Sequence, residues 1–255
     1  MKPFASAAIA LLLAASMTSA QTGGAAGPGN AAMHAARQAR MQEMAARMMR
    51  LQSQVQQLNQ RLAPMQTLQG FKDIGIGLGI SCDRLREMER HAAELREQAG
   101  PGAAAERTRA MDRLQDRLQV MNRELDEAHG VLQRLIAMQQ RPGSPVDAAE
   151  QMLRAQHQQE MEQVQERVQE RLRATVEWSK GDQIPVPAKE FAKDLALLRD
   201  RLRLMNQSCD KLVEDSQMEL DRDRTREIER LRDRFRVMFR ELEESSDALE
   251  TAVTP

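Results

Sequence analysis

The chain has 255 residues, with 37 Lys and Arg against 38 Asp and Glu, five phenylalanines, one tryptophan and no tyrosine. That near-neutral balance lacks the clustered basic face of a nucleic-acid binder, and so few aromatics exclude a base-stacking platform. Ala, Leu, Met, Gln, Glu and Arg dominate, the usage expected of long helices and coiled coils.

The first segment, "MKPFASAAIALLLAASMTSAQT", has one charge at Lys2, an apolar run over about Ala7–Ala15, and small residues at Thr18 and Ala20. This pattern predicts a secretory signal over residues 1–20, cleaved near Ala20. The run is shorter than the about 20 residues of a bilayer span, so no stable membrane insertion is expected after cleavage. The expected location is the periplasm. Residues 21–32, "QTGGAAGPGNAA", read as a flexible tether.

Beyond it the apolar positions fall into heptad seams. The first runs Met41, Met44, Met48, Leu51, Val55, Leu58, Leu62 and Met65. "GFKDIGIGLGIS" then breaks the helix, and a short helix carrying Cys82 follows up to "AGPGAAA". A second seam runs Met111, Leu114, Leu118, Met121, Leu125, Ala128, Leu132 and Leu135. "RPGSPVDAAE" stops that helix and starts another, with Ser144 as its cap and Pro145 in its first turn. "KGDQIPVPAKEF" makes the next turn. Phe191, Leu195, Leu198, Leu202, Met205, Cys209 and Leu212 form a third seam, and Ile228, Leu231, Phe235, Met238, Leu242, Ser245 and Leu249 a fourth. Between those two, "DRDRTRE" contains no apolar residue and reads as an exposed elbow or a helix break. The expected fold is all-α: an elongated antiparallel helical bundle or coiled coil.

An internal repeat organises it. "TRAMDRLQDRLQVMNREL" from Thr108 matches "TREIERLRDRFRVMFREL" from Thr225 at eleven of eighteen positions, and "SCDRL" and "SCDKL" precede the two copies. The halves are placed at 33–141 and 146–252. Cys82 and Cys209 are the only cysteines, and each has a leucine three residues on, at Leu85 or Leu212. In an oxidising compartment their equivalence predicts an intramolecular disulfide, with buried free thiols or a reactive Cys82 at a helix N-terminus as alternatives.

Other chemistry is thin. "GIGLG" lacks the spacing of a phosphate-binding loop. It reads as a helix connection whose Ile74, Ile76, Leu78 and Ile80 dock on a neighbour or form a partner patch. His34, His91, His129 and His157 are scattered, and His91, with Glu87 and Glu94 at helical spacing, reads as a solvated side chain. Met33, His34, Met41, Met44 and Met48 make a thioether-rich stretch suited to Cu(I), although Met41, Met44 and Met48 continue the seam and read first as packing residues. No catalytic constellation emerges, and no cofactor is expected. The signal, the helices and the Met/Gln/Arg content are similar to those of small periplasmic helical chaperones and metal-responsive proteins, whose LTxxQ motif this chain lacks.

The sequence thus leads to a non-enzymatic exported protein, binding other envelope proteins or itself as a homodimer. The alternative is a periplasmic chaperone or a stress-responsive Cu or Zn binder.

Overall fold

The computed structural model describes residues 28–62, 69–100, 105–138, 148–214 and 222–253, and these form six helices with no strand among the described residues. They are α1 (Pro28–Leu62), α2 (Gln69–Ala99), α3 (Ala105–Met138), α4 (Ala148–Ser179), α5 (Val186–Glu214) and α6 (Arg222–Val253). The signal segment, Met65 and the turn at Ser144 and Pro145 lie outside the described residues. The helix begins inside the expected tether, at Pro28, where proline's fixed φ suits the first helical turn.

The chain divides into two compact units, residues 1–42 and 43–255. In the first, the side chains described on α1 are exposed. The second holds the rest of α1 with α2 to α6. There the seams are the core. Leu51, Val55 and Leu62 of the first seam are 2% exposed or less, and every position named for the second, third and fourth seams is buried.

α3 packs on α6 and α2 on α5, while the hairpins α2–α3 and α5–α6 close the ring. α4 lies across α5 and α6. Residues 43–62 of α1 lie across α2 and α3, with Asn59 Nδ2 donating to the Gly75 carbonyl (3.1 Å) and Arg47 paired with Asp126 (3.4 Å). α2 thus meets α5 and α3 meets α6, helices at matching places in the chain order.

The polar contacts repeat as well. Arg117 of α3 pairs with Glu241 (3.2 Å) and Glu244 of α6. Arg234 of α6 pairs with Glu124 (3.2 Å) and Glu127 (2.8 Å) of α3. All three residue types recur 117 positions on, the shift that aligns Thr108 with Thr225. Asp126, which pairs with Arg47 of α1, matches Glu243, which pairs with Arg167 of α4 (3.1 Å). The contacts thus match in both directions across α3 and α6, on either side of the buried Met121 and Met238.

Two expectations are corrected. The glycine-rich segment is the first part of α2, not a break. A Cβ on Gly77 would run into the Met205 side chain, and one on Gly70 into Leu212 and the Ser208 carbonyl. Gly75 faces Asn59 in the same way. Each glycine in a helix costs about 1 kcal/mol relative to alanine, and close approach of α5 and α1 to α2 offsets it. The break after α2 comes at Gly100, in the left-handed conformation (φ 69°) that ends helices. The second correction concerns "DRDRTRE": Arg224, Thr225 and Glu227 are buried in α6. Arg224 donates to the Met138 carbonyl (2.8 Å) and Glu227 accepts from Arg134 (2.9 Å), so charge at these positions caps and ties the α3 terminus.

Candidate functional site: the cleft between α1 and α3

α1 and α3 run side by side, leaving a cleft of about 430 Å3. α1 supplies Gln54, Gln57 and Arg61 with Leu58 beneath them, and α3 supplies Asp126, His129, Gly130 and Gln133. Helical spacing accounts for both rims: Gln54, Gln57 and Arg61, like Asp126, Gly130 and Gln133, recur every three or four residues beside the buried seam. His129 is 4% exposed, its Nε2 lies 2.9 Å from Gln133 Nε2, and its Nδ1 is buried without a partner. Burial holds its pKa below the usual histidine value, against the pull of the Asp126 charge, so the imidazole is neutral at neutral pH.

The corresponding place between α4 and α6 is filled by the chain itself. Arg171 reaches Asp247 (2.6 Å) and Glu250 (2.9 Å), and the buried Thr175 hydroxyl meets Ser246 and Glu250 (3.1 Å). Trp178 packs against the core beside them. With the 117-position shift of α3 onto α6, Asp247 stands where α3 has Gly130 and Glu250 where it has Gln133. The buried Met44, Leu51, Val55, Leu58 and Leu62 of α1 match the buried Met161, Val168, Leu172, Thr175 and Ser179 of α4 at the same 117-position shift, so Arg171 stands where α1 has Gln54 and Thr175 where it has Leu58. Gln54 lacks the charge of Arg171 and Leu58 lacks the hydroxyl of Thr175, so α1 does not close over His129 and Gln133 as α4 closes over Ser246 and Glu250.

The residues singled out from sequence have other surroundings. Cys82 and Cys209 are buried free thiols, and the expected disulfide is not formed. The register explains this: Gly70 lies against Ser208, Gly77 against Met205, and Arg84 bonds Asp194 (3.0 Å), so α2 and α5 are antiparallel. Cys82 then falls opposite Leu198, about eleven residues or roughly 16 Å along the axis from Cys209, against a limit of about 7 Å between disulfide-bonded Cα atoms. Burial pushes both thiols up to about 12. Cys82, inside α2 rather than at its start, is not a reactive thiolate.

Ile74 and Leu78 are fully buried, Ile80 is half-buried and Ile76 is 51% exposed. A helix distributes the four over different faces, so they form no continuous patch. Met44 and Met48 are buried packing residues, Met41 is 36% exposed, and the side chains of Met33 and His34 lie outside the described residues. No group of three or more His, Cys, Asp or Glu able to hold a metal ion occurs among the described residues. Nor is any described helix long and apolar enough to cross a membrane.

His91 is buried rather than solvated. Its Nε2 lies 3.6 Å from Asp194, whose other oxygen receives Arg84 (3.0 Å). Burial raises the Asp194 pKa, with Arg84 and His91 opposing. These three tie α2 to α5. Arg232, 1% exposed, similarly joins Asp210 and Glu229 (2.5 Å each), and Glu229 also meets His157 (3.0 Å), linking α4, α5 and α6.

No family model, curated protein or solved structure matches this chain. The cleft was the one feature that motif reading missed. Its signal lay in the continuation of the repeat, "EAHGVLQ" against "ESSDALE", where His129, Gly130 and Gln133 replace Ser246, Asp247 and Glu250.

Proposed function

We propose that this is an exported, non-enzymatic helical protein that acts in the cell envelope by binding other proteins, and that it arose by doubling of a three-helix unit. The matched ion pairs of Arg117 and Arg234 support the doubling, since like residues meet like partners in both directions across the α3–α6 contact. The observation that carries the binding reading is on the α2–α5 pair. Ile76 and Leu204, the neighbours in sequence of the contacting Gly77 and Met205, are 51% and 50% exposed, and Leu197 is 38% exposed. Large apolar side chains held in solvent on a rigid helix pair are a docking feature rather than part of the core.

The test is a photo-crosslinking residue placed at position 76 or 204 in cells that export the protein. Discrete adducts are expected at both positions, and they disappear when the other of the two is replaced by Asp. Adducts at neither position, from protein found in the periplasm with Gln21 as its first residue, would sink the proposal. The chaperone reading draws on exposed Met49 (55%) and Met152 (68%). It requires the purified protein to suppress aggregation of an unfolded client, with the effect lost in Met49→Gln/Met152→Gln.

A further inference from the structure

We propose that the α1–α3 cleft is a binding site for a short peptide, held through its terminal carboxylate. The inference rests on the difference between the halves, not on the reading of the chain as a protein-binding module. In one half, a guanidinium and a hydroxyl from α4 reach across to α6. In the other, α1 turns Leu51 and Val55 into the core and leaves about 430 Å3 open above His129 and Gly130. Gly130 matters here because the aspartate at its counterpart, Asp247, would occupy the same opening.

The open cleft has a definite chemistry. Arg61 stands at one end without an ion-pair partner among the described residues. Asp126, already held by Arg47 (3.4 Å), stands at the other. Seven residues separate Asp126 from Gln133 along α3, about 10 Å at 1.5 Å per residue, which is the extended length of about three amino acids. Gln54, Gln57 and Gln133 lie between the charged ends, and each offers a donor and an acceptor, the pair of groups that a peptide unit complements. A guanidinium binds a carboxylate through two parallel hydrogen bonds. A peptide's carboxylate therefore sits on Arg61, its amides along the glutamines and its ammonium toward Asp126. The neutral imidazole of His129 forms part of the floor, and its buried Nδ1 marks a polar group that the fold leaves unsatisfied.

The probe is tri-alanine, titrated into the full-length protein and followed by backbone amide shifts and calorimetry. Saturable binding, with shifts concentrated on residues 54–61 and 126–133, is the expected result. Tri-alanine amide, which lacks the carboxylate, and the exposed-site variant Arg61→Gln should each weaken binding at least tenfold, whereas N-acetylation should weaken it less. Gln54→Arg with Gly130→Asp, which copies Arg171 and Asp247 into this half, should abolish binding in a protein whose helix content by circular dichroism is unchanged. If that double variant fails to fold, Arg61→Gln decides alone. Absence of saturable binding, equal affinity for the amide, or unchanged affinity in Arg61→Gln would each overturn the proposal.

Discussion

α3 and α6 are near copies in sequence and occupy equivalent places, yet the helices laid across them behave differently. α4 reaches over α6 with Arg171 and Thr175 and closes its half with ion pairs and hydrogen bonds. α1 turns an apolar seam of Met48, Leu51, Val55, Leu58 and Leu62 inward, with Val55 and Leu62 against α2, and leaves the groove beside α3 unfilled. The lesson is that the shared interior constrains the sequence, while the outer helix of each half is free to diverge. The interior should therefore respond alike to matched substitutions, and the outer layer should not.

The largest effect tests that interior. Met121 and Met238 are both fully buried and occupy equivalent positions in α3 and α6. Replacing either by Ala removes buried apolar volume and leaves a cavity, at a cost of about 2–4 kcal/mol each. Urea unfolding should give the two variants nearly the same midpoint. A difference of more than about 2 kcal/mol, the spread that one truncation shows between unrelated core sites, would break the equivalence.

The α2–α5 contact sharpens the comparison, because here the halves differ by design of the interface. α2 presents Gly70 and Gly77, whereas α5 presents the larger Leu212 and Met205 to them. Gly77→Leu must displace Met205. It should lower stability by about 2 kcal/mol, despite the gain of about 1 kcal/mol in helix propensity. A variant as stable as the parent would show that α2 and α5 can separate freely.

Glu89 on α2 provides a pH-dependent test. Its Oε1 is buried without a hydrogen-bond partner among the described residues, and burial, opposed by Arg86, lifts its pKa from 4.5 to about 7. Below pH 4.5 the carboxyl is protonated whether the chain is folded or not. As pH rises to 7 the unfolded chain releases the proton first, so folded-state stability falls over that window by roughly 2–3 kcal/mol and then levels off. Glu89→Gln should remove that slope and stabilise the protein at pH 8. A slope that persists in the variant would assign it to other groups, with Asp83, Asp194 and Glu241, all raised by burial, as the next to replace.

How much of this was legible in the sequence divides along the same line as the halves. The seams from Met111 to Leu249 announce themselves because one apolar stripe per helix, at three- and four-residue steps, is the geometric condition for burial. The glycine segment misleads because local propensity argues for a break there, while the deciding term is the approach of Met205 and Asn59, contributed by helices distant in sequence. The charges from Arg224 to Glu227 mislead for a related reason: their partners, the Met138 carbonyl and Arg134, belong to α3. The disulfide failed on register, which depends on where α2 and α5 cross and not on the similarity of their sequences. The cleft is written in the repeat, but only at positions outside the seam, where His129, Gly130 and Gln133 depart from Ser246, Asp247 and Glu250.

The smallest expected effect is the most exacting test of the match across α3 and α6. Arg117→Ala removes the pair with Glu241 and Glu244, and Arg234→Ala removes the pair with Glu124 and Glu127. Both guanidinium groups are about a third exposed (34% and 35%), so solvent screens them and each substitution should cost only about 1 kcal/mol. The acceptors sharpen the expectation. Glu241 and Glu124 are nearly buried, 10% and 13% exposed, so losing the arginine leaves a carboxylate in a poorly solvated place in either half. If the match is real, both variants lose similar stability and both losses shrink in 1 M salt, where the Debye length is about 3 Å. A loss confined to one of the two would mean that the matching pairs share a sequence but not an environment, and the halves would then be alike in ancestry alone.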